Sequence, residues 1–295
     1  MYRFQNNLLT LFILLCTVSH LQAQKHEFLG VLTLKDTVHV AYRLQLELKG
    51  DKVSGFSVTN IGGPHETKSY VSGNYYPENN TLKFQEFGIE YTKSDVETYD
   101  FCFVHFSGKV SSLEKEDIIQ GQFVGRYEDG FACIDGELNV KSIDKIYKKA
   151  VKTDKKIQKL KSVPDSVKAK ASLTKTIDER RLNMLKANEK TSIFTKSKHI
   201  VLRVVDVGKE DGDQISIYLD DAVLLKNKEV TNKSYTLSVN LEKPITTLKI
   251  VAQNEGTIAP NTAKLEVEID NRVIELMSNL KEGEQTSLSF HKIQE

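Results

Sequence analysis

Between Phe28 and Leu138 the chain six times sets a glycine between two apolar residues with one residue on either side. The units are Phe28-Leu29-Gly30-Val31-Leu32, Val71-Ser72-Gly73-Asn74-Tyr75, Phe106-Ser107-Gly108-Lys109-Val110, Ile119-Gln120-Gly121-Gln122-Phe123, Phe123-Val124-Gly125-Arg126-Tyr127 and Ile134-Asp135-Gly136-Glu137-Leu138. They lie in stretches that alternate apolar and polar with period two, most clearly from Val38 to Leu48, and such alternation marks half-buried strands. Glycine weakens a strand unless the backbone has to bend or approach a neighbour closely. Its recurrence therefore predicts tight coiling, as in a small antiparallel β-barrel or a strongly curved meander. Turn chemistry at Lys49-Gly50-Asp51, Gly62-Gly63-Pro64, Pro77 to Asn80 and Asp129-Gly130 divides residues 24–141 into about eight strands.

From residue 142 to residue 198 the pattern changes. Residues 141–198 carry 18 basic side chains against 6 acidic ones, a surplus of 12 that leaves the rest of the chain at −11. Ile143, Ile146, Tyr147, Ala150, Ile157 and Leu160 follow helical spacing, and the break at Val163-Pro164-Asp165 suits the start of a second helix. A basic α-helical linker is expected over 142–198. Alternation returns over 199–295 in about eight short stretches, with Asp220-Asp221 and Asp270-Asn271 as hairpin turns, and this reads as an antiparallel β-sandwich. The fold class expected is mainly β, with the basic helices between two β domains.

Arg3, the apolar run Leu8 to Val18 and the small residue Ala23 have the form of a secretory signal peptide over residues 1–23. The run is shorter than the roughly 20 residues of a spanning helix, and no later stretch is apolar for long enough. Leu15 before Cys16 is too large for the lipid-attachment pattern. Export leaves Cys102 and Cys133, and a lone pair in an oxidising compartment usually bonds. If the two open strands flanking a shared middle strand, they stand about 9–10 Å apart, beyond the roughly 7 Å a disulfide tolerates. The bond then requires Cys102 to sit in a strand end or loop that bends across. Two unpaired buried thiols are the alternative.

Known catalytic spacings are missing: there is no Gly-x-Ser-x-Gly elbow, His-Glu-x-x-His, Cys-x-x-Cys, phosphate loop or dinucleotide fingerprint. Glu86 and Glu90 stand at an even spacing that places both on one strand face, where two carboxylates can divide acid and base roles. Alternation alone makes them solvent-facing residues of a half-buried strand, the plainer expectation. The acids Asp206, Glu210, Asp211 and Asp213 offer hard oxygens to calcium but lack the spacing of a dedicated calcium loop. Asp211-Gly212-Asp213 is more economically a turn, and no cofactor is otherwise expected. Of the aromatics crowded into the first domain, Tyr75, Tyr91, Phe103 and Tyr127 are candidates for a ligand surface, against the plainer reading of core packing. The net charge of +1 argues against wholesale electrostatic recruitment to nucleic acid or to an anionic surface, so any such role is local.

The run Gly125 to Gly130 through Cys133 and Gly136, the run Glu210 to Leu219, and Ala252 to Gly256 with Pro260-Asn261-Thr262-Ala263 resemble uncharacterised secreted two-β-domain proteins of Bacteroidota-type bacteria. The resemblance implies an envelope or secreted protein and carries no catalytic residue. The expectation is a non-enzymatic module that binds an envelope protein or a glycan, located in the periplasm, at the outer membrane or outside the cell. Two alternatives remain: a small-ligand carrier using the barrel, and a hydrolase with dispersed carboxylates.

Overall fold

The computed structural model describes residues 24–35, 38–95, 98–110, 118–170 and 172–293. The leader expected over residues 1–23, with Cys16, lies outside the described residues.

Eight strands, β1 (Gln24–Leu34), β2 (Val38–Lys49), β3 (Lys52–Thr59), β4 (Thr67–Tyr76), β5 (Thr81–Thr92), β6 (Phe103–Val110), β7 (Ile118–Arg126) and β8 (Ala132–Ser142), each run antiparallel to the next. β8 returns to β1 from Phe28↔Ser142 to Leu34↔Gly136, which closes the meander into a barrel. Phe28, Tyr42, Leu44, Leu82, Phe106 and Leu138 belong to one buried cluster inside it. The glycines of the repeat stand two residues from such side chains and so share the inward face. A Cβ on Gly30 would lie 2.1 Å from the Asn139 carbonyl oxygen, and one on Gly73 would lie 2.1 Å from that of Lys83. Any side chain there would hold neighbouring strands apart, so the glycines let the sheet coil around a core of packed side chains.

The cysteines form a disulfide with 6.1 Å between α-carbons. Cys102 lies just before β6 and Cys133 near the start of β8, with β7 between them. A Cβ on Gly125 of β7 would lie 2.5 Å from Cys102 Sγ and 3.0 Å from Cys133 Sγ. The bridge thus passes over the middle strand where that strand has no side chain, and the ordinary two-strand separation does not apply.

Three helices follow: α1 (Ile143–Gln158), α2 (Asp165–Lys170) and α3 (Leu173–Arg181). Ile143 and Ala150 of α1 pack with Ile177 of α3, and Leu29, Ile146 and Tyr147 complete the patch against the barrel. The Asp154 carboxylate accepts the Leu173 and Thr174 amides at 3.0 Å each, so a side chain of α1 satisfies the open N-terminus of α3. Helix ends at Arg181, not near residue 198. Lys190 to Thr195 buries Thr191, Ile193 and Thr195 on alternate positions and forms a strand instead.

The second β unit has ten strands: β9 (Met184–Leu185), β10 (Lys190–Thr195), β11 (His199–Val205), β12 (Gln214–Leu219), β13 (Ala222–Glu229), β14 (Tyr235–Asn240), β15 (Ile245–Ala252), β16 (Asn261–Ile269), β17 (Arg272–Leu280) and β18 (Gln285–Lys292). One layer runs β13-β12-β15-β18-β10 and the other β14-β11-β16-β17-β9, around a core that includes Leu202, Ile217, Leu265 and Phe290. Pairing is antiparallel except where β9 and β10 join β17 and β18. The two expected hairpin turns hold positive φ at both central residues, 45° and 71° at Asp220-Asp221 and 49° and 59° at Asp270-Asn271. Ser192 of β10 pairs with Thr92 of β5, which joins a sandwich layer to the barrel wall. Beside that junction Lys93 and Glu66 are buried: Lys93 pairs with Glu189 at 2.9 Å, and Tyr91 donates to Glu66 at 3.1 Å.

Candidate binding groove

Inside the barrel the side chains pack into one buried cluster, and a concavity lies on its outer wall. A groove of about 610 Å³ lies over β1 to β5 and is bounded by Ile143 and Asp144 of α1 and by Arg181 of α3. Its floor is a single register row. Glu27 pairs with Gln45, Gln45 with Phe56, Phe56 with Tyr70 and Tyr70 with Phe87, so five successive strands each contribute one residue of the same row. Cross-strand neighbours on one face touch, which turns this row into a continuous surface graded from charged to aromatic.

At the aromatic end Phe56 and Tyr70 have ring centroids 5.5 Å apart, and Tyr70 and Phe87 stand 5.7 Å apart. Lys68 Nζ lies 4.2 Å from the Phe56 centroid, and the Arg272 guanidinium lies 5.4 Å from that of Tyr70. These cations meet the negative ring faces and fix the first two rings. Phe87 stays 47% exposed at the open end. At the polar end Arg181 grips Glu27 at 2.7 Å, Gln45 donates to Glu27 at 3.3 Å, and Lys25 pairs with Glu47 at 3.2 Å. The groove thus presents hydrogen-bonding groups of both signs at one end and an apolar ring at the other.

Glu86 and Glu90 are not on one face. Gly88, with φ of 53°, lies in an irregularity of the β4–β5 pairing that resets the alternation between them. Both are buried, at 4% and 2% exposure, which corrects the solvent-facing expectation. Glu86 points into the barrel, where it accepts the Tyr42 hydroxyl at 2.7 Å and the Val104 amide at 2.8 Å. Burial pushes its carboxyl above the ordinary value, opposed by the Ser57 hydroxyl, the Val104 amide and Tyr42. Glu90 pairs with Lys68 at 2.5 Å; burial raises it too, and Lys68 opposes the shift. Each acid has its own partners, and the pair does not form a shared acid–base site.

The sandwich acids brace loops. Asp206 Oδ1 accepts the Gly208 amide at 2.7 Å, Asp211 Oδ2 that of Ile258 at 3.0 Å and Asp213 Oδ2 that of Thr262 at 2.8 Å, so Asp211-Gly212-Asp213 is a connection pinned at both acids. Glu210 accepts the Asn232 amide at 2.6 Å. Burial pushes Asp213 up, and the charges of Asp211, Asp206 and Glu255 act in the same direction. Among the described residues no group of three or more His, Cys, Asp or Glu side chains could hold a metal ion.

The four aromatics expected to form a ligand surface are dispersed. Tyr75 lies in the barrel core, where its hydroxyl reaches Asn80 Oδ1 at 3.2 Å, and Tyr91 packs into the sandwich core. Phe103 is buried, and Tyr127 is partly exposed at the β7–β8 hairpin. The groove residues were missed because Glu27, Gln45, Phe56, Tyr70 and Phe87 share no motif. Their only signal is that each occupies an outward position of its strand, and register alone brings them together. Among the described residues no helix is long and apolar enough to cross a membrane. No protein-family model matches this chain, and neither the curated proteins nor the solved structures contain a match.

Proposed function

We propose that the chain is an exported envelope protein that acts by binding, with the outer-wall groove as its ligand site. The observation that carries this reading is the register row from Glu27 to Phe87, which ends in an exposed ring and is clamped by Arg181. A site of about 610 Å³ falls in the range of small-molecule and short-oligomer sites, and its few convergent polar groups at one end would orient an amphipathic ligand. Its floor lies in the middle of a closed sheet, where every strand is paired on both sides, so recognition would run through side chains and not through addition of a strand. A glycan or a partner side chain with an apolar face suits that geometry. Export is supported by the form of residues 1–23 and by the Cys102–Cys133 bond.

The test is a titration of the mature chain against arrayed oligosaccharides and short peptides, followed by the same titration with Phe87→Ala and with Arg181→Ala. Both variants should fold and should weaken any ligand by about tenfold or more, the loss of one well-placed contact. A ligand bound equally well by both variants would place the site elsewhere. Turnover of a substrate that survives both changes would replace a binding role with a catalytic one.

A further inference from the structure

Helix α1 carries a second surface that the groove does not use. At about 100° per residue, Lys145, Lys148, Lys149, Lys152, Lys155, Lys156 and Lys159 all fall within an arc of about 120°. Ile143, Ile146, Tyr147 and Ala150 occupy the opposite side, packed on the barrel and on α3. All seven lysines are exposed. Asp144 and Asp154 lie off the arc, and Asp154 is engaged by the amides of α3. Lys168–Asp165 and Arg181–Glu27 are ion pairs of the helical segment that lie away from the ridge, and among the described residues no carboxylate pairs with Lys148, Lys149, Lys152, Lys155, Lys156 or Lys159. Lysines in the last turn favour the helix dipole, which accounts for Lys155 and Lys156 but not for the rest.

We infer that this ridge docks the protein onto an anionic lipid surface, with the lysines meeting headgroup phosphates. Like charges lined along about 21 Å of one helix face repel one another and are costly to the free protein; a plane of negative charge removes that cost. The rest of the chain carries −11, so the attraction is confined to one side and would set the molecule's orientation. A packed apolar face keeps α1 from burying its own side chains in the bilayer, so binding is electrostatic, reversible and sensitive to salt.

The experiment is co-sedimentation of the mature protein with vesicles of phosphatidylcholine alone or mixed with phosphatidylglycerol, at low and high salt. The expected result is binding to the anionic vesicles at low salt, release at high salt and none to phosphatidylcholine. The triple variant Lys148→Gln, Lys152→Gln, Lys156→Gln, with an unchanged circular dichroism spectrum, should lose affinity on the order of 100-fold. Lys196→Gln, Lys226→Gln, Lys233→Gln changes net charge equally off the helix and should retain most of it. No binding to anionic vesicles, equal binding to both lipids, or equal loss in the two triple variants would each overturn the proposal.

Discussion

The barrel and the sandwich both bury carboxylates, and they do so for different ends. In the barrel Glu86 sits in the core and is held by a tyrosine hydroxyl and a backbone amide from another strand, so it ties opposite parts of the interior together. In the sandwich Asp206 accepts the amide of Gly208 in its own connection. Asp211, Asp213 and Asp220, at or beside strand ends, accept the amides of Ile258, Thr262 and Thr247 from other segments, so they pin loops and strand ends to their neighbours at the rim of the unit. The glycines divide by place as well. The repeat glycines of the barrel strands face inward against neighbouring backbone, whereas Gly212 and Gly283 in sandwich connections hold φ of 89° and 79° with open space around them, as Gly50 and Gly130 do in barrel hairpins. A residue type that invites a chemical reading, an acid or a recurrent glycine, serves the geometry that its own place in the fold requires.

The largest effect should come from filling an inward glycine. Gly30→Val would drive a side chain into Asn139 and cost about 3 kcal/mol or more, whereas Gly212→Ala meets only the left-handed backbone penalty of about 1 kcal/mol. Denaturant midpoints measure both; equal costs would erase the distinction between the two glycine roles. Next, replacing both cysteines by alanine should remove about 3–4 kcal/mol, since the bond closes a separation of 31 residues. Amide exchange should show that loss in barrel strands and not in the sandwich.

The acids should respond to pH in opposite directions. Glu86 is raised in the folded state, so on acidification the folded barrel takes up that proton first. Its stability rises as pH falls through the folded value and levels off near the unfolded value of about 4.3. Asp220 is lowered by the Thr247 amide and then by Lys243, so its contribution is present above about 3.9 and is lost as pH falls through its folded value. Asp213 shifts the same way as Glu86, and an Asp213→Asn background removes that opposing contribution from the sandwich. Glu86→Gln should reduce the barrel's slope between neutral pH and about 4.3, leaving the part that Glu90 contributes in the same direction; an unchanged slope would mean that the Glu86 carboxyl does not contribute. Tyr42→Phe should cost about 1–3 kcal/mol by leaving Glu86 short of a donor. Phe87→Ala should be the smallest, within about 0.5 kcal/mol in stability, while still affecting the groove.

Much of the fold was legible along the chain. Period-two alternation located eight barrel strands, the glycine repeat indicated tight coiling, and Asp220-Asp221 and Asp270-Asn271 marked hairpins that the backbone angles bear out. The helical segment was overextended because the basic composition continues through Lys186, Lys190, Lys196 and Lys198, while the buried positions of Thr191, Ile193 and Thr195 already follow a strand. The disulfide distance could be judged only once Gly125 was seen to lie beneath both sulfurs. The candidate site was not legible. Glu86 and Glu90 were expected to share a face because an even spacing carries no trace of the irregularity at Gly88. The groove is a product of register across five strands and of Arg181 arriving from a helix, and neither is a local property of sequence.

The most direct test of a filled barrel that serves as a platform for an outer-wall site is crystallographic screening of the mature protein with a set of phenyl glycosides and aromatic dipeptides. Density should appear between Phe87 and Arg181, with the positions of Tyr42, Phe84 and Phe106 unchanged. Fragments lodged among those three interior rings, with the outer row bare, would contradict it.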